Sequence, residues 1–266
     1  MEGEKMETKR LDQCIWPGVL PLAIFLLLQW GSTLQAQKSP PTLIQMQKYE
    51  FEVVTVNLDG VEIKREHTKT SGFSELLGDG VQLEMITIPS GSFIMGSPET
   101  EAGREECEGP QHQVFVRRFY MGRTEVSRRQ WNQVCKLPKI HRHLEPRNGL
   151  ENFPMDCISW YEAVEFCDRL TRKTGRKYRL PTESEWEYAC RAKTTTPYHF
   201  GATIIPQLAC YADYYKSFTN GAWESLVPVG TINIPNGFGL LDMHGSVAEW
   251  CLDKKHMNYK LDFGHF

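Results

Sequence analysis

The sequence predicts an α+β fold with short antiparallel strands, few helices and long ordered loops. Alternating apolar segments separated by turn residues dominate residues 49–95, which is typical of strands. Only three later segments carry helix start motifs followed by an apolar helical face. After Cys190 regular periodicity fades into short, aromatic-rich fragments divided by Asn-Gly and Thr-Pro pairs, which indicates loops.

Composition places the chain among globular proteins. It has 266 residues, 41% of them hydrophobic and 24% charged, which is enough to bury a core. Thirty Lys and Arg residues against thirty-three Asp and Glu residues give a formal charge of −3. Because no basic field exists to gather phosphates, we expect no nucleic-acid partner.

The N-terminus has the layout of a targeting segment. Residues 13–37 contain no charged side chain, and residues 22–28 are almost purely apolar. We interpret residues 1–36 as a signal peptide or a membrane anchor, and residues 37–47 as a linker. A start codon placed too early is a third interpretation. The first two place the main domain in an exported, oxidising compartment.

The first strands form a lead-in hairpin within residues 48–80. Residues 49–56 alternate and are rich in β-formers, Asp59-Gly60 is a hairpin turn, and residues 61–64 alternate again. Two further apolar runs follow, at residues 81–88 and 92–95. Because only Pro89-Ser-Gly91 separates them, we predict a second short antiparallel pair that opens the main domain, residues 81–266.

Three helices are predicted by one shared motif. A Ser or Thr is followed three residues later by Gln or Glu, so that each side chain can satisfy the other's backbone amide. These caps are Ser127, Ser159 and Thr182. Gly175 is expected to end the second helix in a left-handed conformation. We expect the core to contain Trp131, Trp160, Trp186 and Trp250.

Five ordered sequence blocks carry a family resemblance. They are Ile86–Ser97, Glu108–His112, Phe119–Gly122, Arg179–Ala189 and Phe238–Gly245. Together they resemble the formylglycine-generating enzyme, or sulfatase-modifying factor, family. The resemblance implies a fold related to C-type lectins, and the lead-in hairpin is similar to that of bacterial members.

The resemblance also implies which chemistry to expect. Active members use O2 and copper held by two cysteines to oxidise a sulfatase cysteine to formylglycine. Those cysteines lie in a final segment, and this chain reaches Phe266 without that segment's motifs. Cys251, the last cysteine, lies in the stretch that precedes it. We therefore expect a C-terminally truncated member with no catalytic residues and no copper ligands.

A calcium site is the one metal site that the resemblance leaves open. The family block Gly-Asn-x-Trp-Glu-Trp reads Gly245-Ser-Val-Ala-Glu-Trp250 here, so Ser246 replaces a calcium-binding Asn and Ala248 replaces a core Trp. Calcium prefers carboxylate and carbonyl oxygens. We therefore expect a residual structural calcium loop at Ser246, Val247 and Glu249.

The cysteines fit a chain that lacks the family's final segment. Of eight cysteines, Cys14 lies in the leader and seven remain, an odd number, so at least one thiol stays free or pairs outside the chain. The resemblance implies that Cys167 and Cys190 match positions that in many members form disulfides to the final segment. It also implies loss of a second calcium loop, whose Asn is Cys210 here.

Three functions are weighed. The leading hypothesis is a non-catalytic binding or scaffold domain that holds a protein or a small ligand. The alternatives are a formylglycine-generating oxidase and a truncated, non-functional remnant. Calcium is the expected cofactor in the first case, and copper would be required in the second.

Overall fold

A computed structural model describes residues 44–211 and 226–253. The segment interpreted as a leader, residues 1–36, lies outside the described residues, as do most of the linker and everything after Asp253. The described residues all belong to one compact unit, Ser39–Phe266. Across these two described ranges, no helix is long and apolar enough to cross a membrane.

Within the part of the chain that the structure describes, six strands form two antiparallel sheets. In chain order the strands are β1 (Gln47–Val56), β2 (Glu62–Gly78), β3 (Val81–Ile88), β4 (Gly91–Met95), β5 (His112–Val116) and β6 (Phe119–Gly122). The larger sheet has the order β1-β2-β3-β6, and the smaller one pairs β4 with β5. The lead-in hairpin is thus continuous with the rest of the domain, because β2 pairs with β3 across residue 80.

The predicted turn between β1 and β2 is confirmed. Gly60 adopts a left-handed φ of 77°, and the Asn57 side chain accepts the backbone N–H groups of Asp59 and Val61 at 3.0 and 2.9 Å. The asparagine thereby replaces backbone partners within the turn. Strand β2 is longer than predicted, because after residue 64 it continues and pairs first with β1 and then with β3.

The predicted pairing of β3 with β4 is wrong. Both edges of β3 are occupied, one by β2 and the other by β6, so β3 is a central strand. Strand β4 pairs with β5 in the other sheet. The short connection that suggested a hairpin is instead a crossing from one sheet to the next.

All three predicted helices form behind the predicted caps. They are α1 (Arg128–Cys135), α2 (Trp160–Thr174) and α3 (Glu183–Arg191), and in each the capping side chain accepts the N3 amide while the N3 side chain accepts the cap amide. Gly175 ends α2 at φ 71°, a conformation that costs glycine little. The prediction for these elements is confirmed.

Among the described residues the core divides into three apolar clusters. One joins β2 and β3 to α1 and α2 around Phe73, Trp131 and Leu170. A second joins β3 to α3 and residues 238–243, and a third packs the end of β1 against residues 200–209. Trp131 is buried as predicted, whereas Trp250 is 49% exposed and was wrongly assigned to the core. The clusters leave a space where α2, β3 and residues 241–250 meet.

Candidate functional site

A cavity of about 470 Å³ occupies that space. Its walls are mainly apolar and include Leu83, Met85, Phe166, Leu170 and Met243. This volume lies within the range of small-molecule sites, roughly 300–1,000 Å³. Glu125 and Glu249 contribute carboxylates to the lining, so an apolar space carries acidic groups at its wall.

Glu125 is a buried carboxylate that makes no ion pair within the described residues. It precedes the N-cap of α1, is 9% exposed, and neither of its side-chain oxygens makes a hydrogen bond of normal geometry within the described residues. Burial raises the pKa of Glu125 to about 8; the nearby Ser246 hydroxyl opposes this rise, and the charge of Asp242 adds to it. An isolated buried carboxylate is costly, so this group needs a proton or a cation.

Asp242 lies beside Glu125, and its ionised form is also disfavoured by partial removal from water. Burial raises the pKa of Asp242, while the Gly230 amide, which donates to its Oδ2, and the Glu125 side chain oppose the rise. Asp242 and Ser246 adopt left-handed φ values of 56° and 57°. The resulting tight turn places both residues next to Glu125. Such backbone conformations are uncommon outside glycine and concentrate at functional sites.

The turn is held against the segment that ends at Cys210. The Ser246 amide donates to the Cys210 carbonyl at 2.6 Å. Gly245 approaches so closely that an added Cβ would lie 1.9 Å from that same carbonyl oxygen, and its φ is 86°. Only glycine fits there, so the position of Ser246 beside Glu125 depends on Gly245.

Four cysteines have surroundings that favour the protonated thiol, and one of them, Cys167, lines the cavity. Within the described residues no disulfide joins Cys135, Cys167, Cys190 or Cys251. Burial raises the pKa of the Cys135 thiol to about 11 and those of the other three to about 12. Because the thiolate is the nucleophile and the metal-binding form, these thiols lie in unreactive surroundings.

Comparison with known protein families identifies the family. The model described as "Sulfatase-modifying factor enzyme 1-like domain" matches residues 78–265. The chain belongs to the sulfatase-modifying factor family. The predicted family and its α+β fold, with three helices and short antiparallel strands, are therefore confirmed.

Relatives in this family include active and inactive proteins. The formylglycine-generating enzyme of Mycobacterium tuberculosis is 36% identical, over 67% of this chain and 77% of that protein. The mouse enzyme is 26% identical, and the alignment covers 64% of this chain but only 58% of the mouse protein. The inactive Cα-formylglycine-generating enzyme 2 of Bos taurus is 24% identical over 65% and 72% of the two chains.

A solved structure supports the fold. The structure of PvdO from Pseudomonas aeruginosa covers 71% of this chain and 77% of its own, with 30% identity and a TM-score of 0.58. Because the relatives differ in activity, membership of the sulfatase-modifying factor family does not by itself assign chemistry to this chain.

The residues predicted from the family motif lie around Glu125 and Asp242, here called the acidic pair, but do not form one ligand set. Ser246 lies beside Glu125, whereas Val247 and Glu249 line the cavity. The Glu249 carboxylate accepts the Trp186 indole N–H at 3.1 Å. Within residues 44–211 and 226–253, no three His, Cys, Asp or Glu side chains form a metal-binding group. A cation here would therefore also need hydroxyl or carbonyl oxygens.

The sequence-based prediction missed Glu125 and Asp242. Both fall in or beside family blocks, but nothing in the sequence shows that the entry to α1 and the turn before Ser246 meet. The unsatisfied oxygens of Glu125 fit a hard cation, which takes carboxylate oxygens readily. Glu125, Asp242 and Ser246 are the residues that could hold such a cation, whose charge would offset those of the buried Glu125 and the half-buried Asp242.

A second polar cluster lies behind α3. The His244 imidazole Nε2 accepts the His199 backbone N–H at 3.0 Å, and the two rings stack with centroids 5.0 Å apart. The Cys190 sulfur lies 3.7 Å from His244 Nε2. Neither ring nitrogen of His199 makes a hydrogen bond of normal geometry within the described residues. Burial, followed by the neighbouring His244, lowers the pKa of His199 to about 3, and burial lowers that of His244 to about 4.

Replacing His199 with phenylalanine is expected to make the domain less sensitive to acid. The folded pKa of about 3 lies below the unfolded value of 6.5, so the unfolded chain takes up the proton first. The contribution to stability is present above pH 6.5 and falls, as pH drops toward 3, by about 1.4 kcal/mol per unit. Phenylalanine removes this slope and the two unsatisfied nitrogens.

Urea unfolding at several pH values from 7 downward measures the effect. His143→Gln is the control, because His143 is exposed and its replacement should leave the slope as it is in the unmodified chain. An unchanged slope in His199→Phe would contradict the buried neutral imidazole.

Proposed function

We propose that this chain is an exported, non-catalytic binding domain of the sulfatase-modifying factor family, stabilised by calcium. The observation that carries the proposal is the cavity of about 470 Å³ with apolar walls and the unsatisfied carboxylate of Glu125 at its edge. We infer a small, largely apolar ligand for the cavity, since its few polar groups can orient but not enclose a charged molecule.

Cavity binding can be tested with the chain's own methionines. Met85, Met121, Met155 and Met243 line the cavity, so 13C-labelled methionine methyl groups should shift when a medium-chain alcohol such as decanol is added. Ala248→Trp puts an indole at the cavity wall, at the position where the family has Trp. We expect this variant to abolish the shifts, and the control Ala102→Trp, on an exposed loop, to retain them. Equal shifts in both variants would refute binding in the cavity.

Calcium should raise the unfolding temperature of the domain. A ligand that binds only the folded state at a concentration of 100 Kd stabilises it by about 2.7 kcal/mol. Glu125→Gln removes a charged ligand but keeps the side-chain shape, so it should abolish the calcium effect without unfolding the protein. Glu151→Gln, on an exposed loop, is the control and should respond fully. A calcium response that persists in Glu125→Gln would contradict this site.

The same measurement separates a binding domain from a remnant. A single cooperative transition, seen in both far- and near-ultraviolet circular dichroism, is the result expected for a domain with fixed tertiary packing. Loss of near-ultraviolet signal without a transition is the result expected for a truncated remnant.

The oxidase alternative receives less support. Copper chemistry in the family requires two cysteines of the final segment. In this chain, burial raises the thiol pKa values of Cys135, Cys167, Cys190 and Cys251 to about 11 to 12. We expect no product when the protein is incubated with copper, O2 and a Cys-x-Pro-x-Arg peptide. Mass spectrometry that shows conversion of the peptide thiol to an aldehyde would overturn the non-catalytic assignment.

A further inference from the structure

Strand β6 forms one edge of the larger sheet and has no neighbour on its outer side among the described residues. The sheet order ends at β6, which pairs only with β3. An uncovered edge presents backbone donors and acceptors that can pair with another chain. The groove along this edge adjoins the cavity, and the two share Met85, Met121 and Gly122 in their walls.

The hydrogen-bond register shows which groups are available. The Arg123 amide donates to the Glu84 carbonyl at 2.9 Å, and Met85 faces Gly122. Because bonded pairs alternate along antiparallel strands, Phe119 and Met121 direct their backbone groups toward β3. Tyr120 and Gly122 therefore direct their N–H and C=O groups outward, and no hydrogen bond within residues 44–211 and 226–253 satisfies them.

A groove of about 420 Å³ runs along this edge. Its walls include all four residues of β6, the aromatic ring of Phe73, and the segment that follows α2. The Tyr120 ring packs edge-on against Phe73, with centroids 5.1 Å apart. The edge therefore has both backbone groups and apolar contacts to offer a strand.

The charge around this groove is positive. Arg176, Lys177 and Arg179 line it, and no Asp or Glu is among the described lining residues. Arg176 and Arg179 are engaged by Glu75 and Glu185. Lys177 is exposed and makes no ion pair in the described part of the chain, and the exposed Arg118 guanidinium lies 5.9 Å from the centre of the Tyr120 ring. Uncompensated cations remain beside the outward backbone groups.

We propose that the β6 edge binds an extended acidic segment of a partner protein, which adds to the sheet as a fifth strand. Main-chain hydrogen bonds to Tyr120 and Gly122 provide affinity, as in other cases of strand addition. Lys177 and Arg118 select acidic side chains at the positions that face them. The groove adjoins the cavity, but strand addition uses the outward backbone groups of β6 and does not depend on a cavity ligand or on calcium.

Fluorescence anisotropy with a labelled peptide of alternating glutamate and valine tests the proposal on the whole chain. We expect saturable binding, and loss of binding when alternate amides of the peptide are N-methylated. Replacing the glutamates with lysine should also abolish it. Equal binding of the glutamate and lysine peptides would overturn the proposed charge selection.

Variants of the edge test the location. Tyr120→Pro removes one outward N–H, whereas Tyr120→Thr removes the ring but keeps that N–H. Proline is tolerated on sheet edges, and near-ultraviolet circular dichroism confirms folding. We expect at least tenfold weaker binding for Tyr120→Pro than for Tyr120→Thr. Equal affinities would rule out strand addition at β6.

Charge reversal completes the test. Lys177→Glu should weaken binding of the acidic peptide about tenfold. Lys139→Glu, an exposed lysine on the loop after α1, should leave it unchanged. If the protein instead forms a concentration-dependent dimer that Tyr120→Pro abolishes, a second copy of the chain occupies the edge and the acidic partner is refuted.

Discussion

Replacing Glu165 with glutamine is expected to destabilise the domain by about 3–5 kcal/mol, the usual cost of breaking a buried ion pair. Glu165 on α2 is 1% exposed, and the Arg169 Nε donates to it at 2.7 Å. Its carboxylate also accepts three consecutive backbone N–H groups, those of Ile140, His141 and Arg142, at 2.8 to 3.2 Å. A glutamine NH2 would face these donors and leave them unsatisfied.

Arg169 also binds the loop after α1 to helix α2, through the carbonyl groups of that loop. Its guanidinium donates to the carbonyls of Cys135, Leu137 and Arg142 at 2.8 to 3.2 Å. The pair therefore supplies both donors and acceptors to the connection after α1. Removing one member leaves the other as an uncompensated buried charge, which explains the large expected cost.

Urea unfolding measures the loss in the free energy of unfolding, with one common dependence of that free energy on urea concentration for all variants. Glu145→Gln is the control, because Glu145 is exposed and only a surface pair with His143 is affected, with an effect of about 1 kcal/mol or less. A loss below about 1 kcal/mol in Glu165→Gln would contradict this account.

The same carboxylate gives the domain an acid-sensitive contribution of defined sign. Burial alone would raise the pKa of Glu165, but the Ile140 amide, Arg169 and the next two amides lower it to about 2. The unfolded value is 4.5, so the contribution is complete above pH 4.5 and is lost as pH falls toward 2. Glu165→Gln should lack this part of the acid profile.

Local sequence signals explain which parts of the fold could be predicted. Capping boxes and the Asp-Gly turn act within a few residues, so α1 to α3 and the β1–β2 turn follow from the sequence. Glu165 and Arg169 look like an ordinary i,i+4 surface pair on a helix. Their burial depends on a distant loop that folds over them, and no local pattern reports that.

The candidate site follows the same rule. The family motif predicts a site at Ser246, Val247 and Glu249, and the structure places Ser246 beside Glu125. The two acids beside Ser246, the buried Glu125 and the half-buried Asp242, come from segments brought together only by tertiary packing. The pairing of β3 was mispredicted for a related reason, because neighbours in a sheet are set by which edges are available.

Replacing Asn236 with alanine is expected to cost about 3–5 kcal/mol, because a fully buried amide loses four hydrogen bonds at once. Its Nδ2 donates to the carbonyls of Ala189 and Cys190 at 2.7 and 3.1 Å, at the end of α3. Its Oδ1 accepts the amides of Phe238 and Leu240 at 3.0 and 3.2 Å.

The loss of stability in Asn236→Ala is expected to extend to the candidate site. The last carbonyls of a helix have no intrahelical partners. The Ala192 amide satisfies that of Tyr188, and Asn236 satisfies those of Ala189 and Cys190. The amides it holds begin the segment that leads to Asp242, and their protection from hydrogen exchange should fall in Asn236→Ala. Asn132→Ala is the control. Asn132, like Asn236, bonds backbone amide and carbonyl groups, but only those of Arg147 and at the surface. If both variants lose the same stability, the argument from burial fails. If only Asn236→Ala loses stability, and loses the calcium response with it, the end of α3 and the turn that carries Asp242 and Ser246 form one cooperative unit.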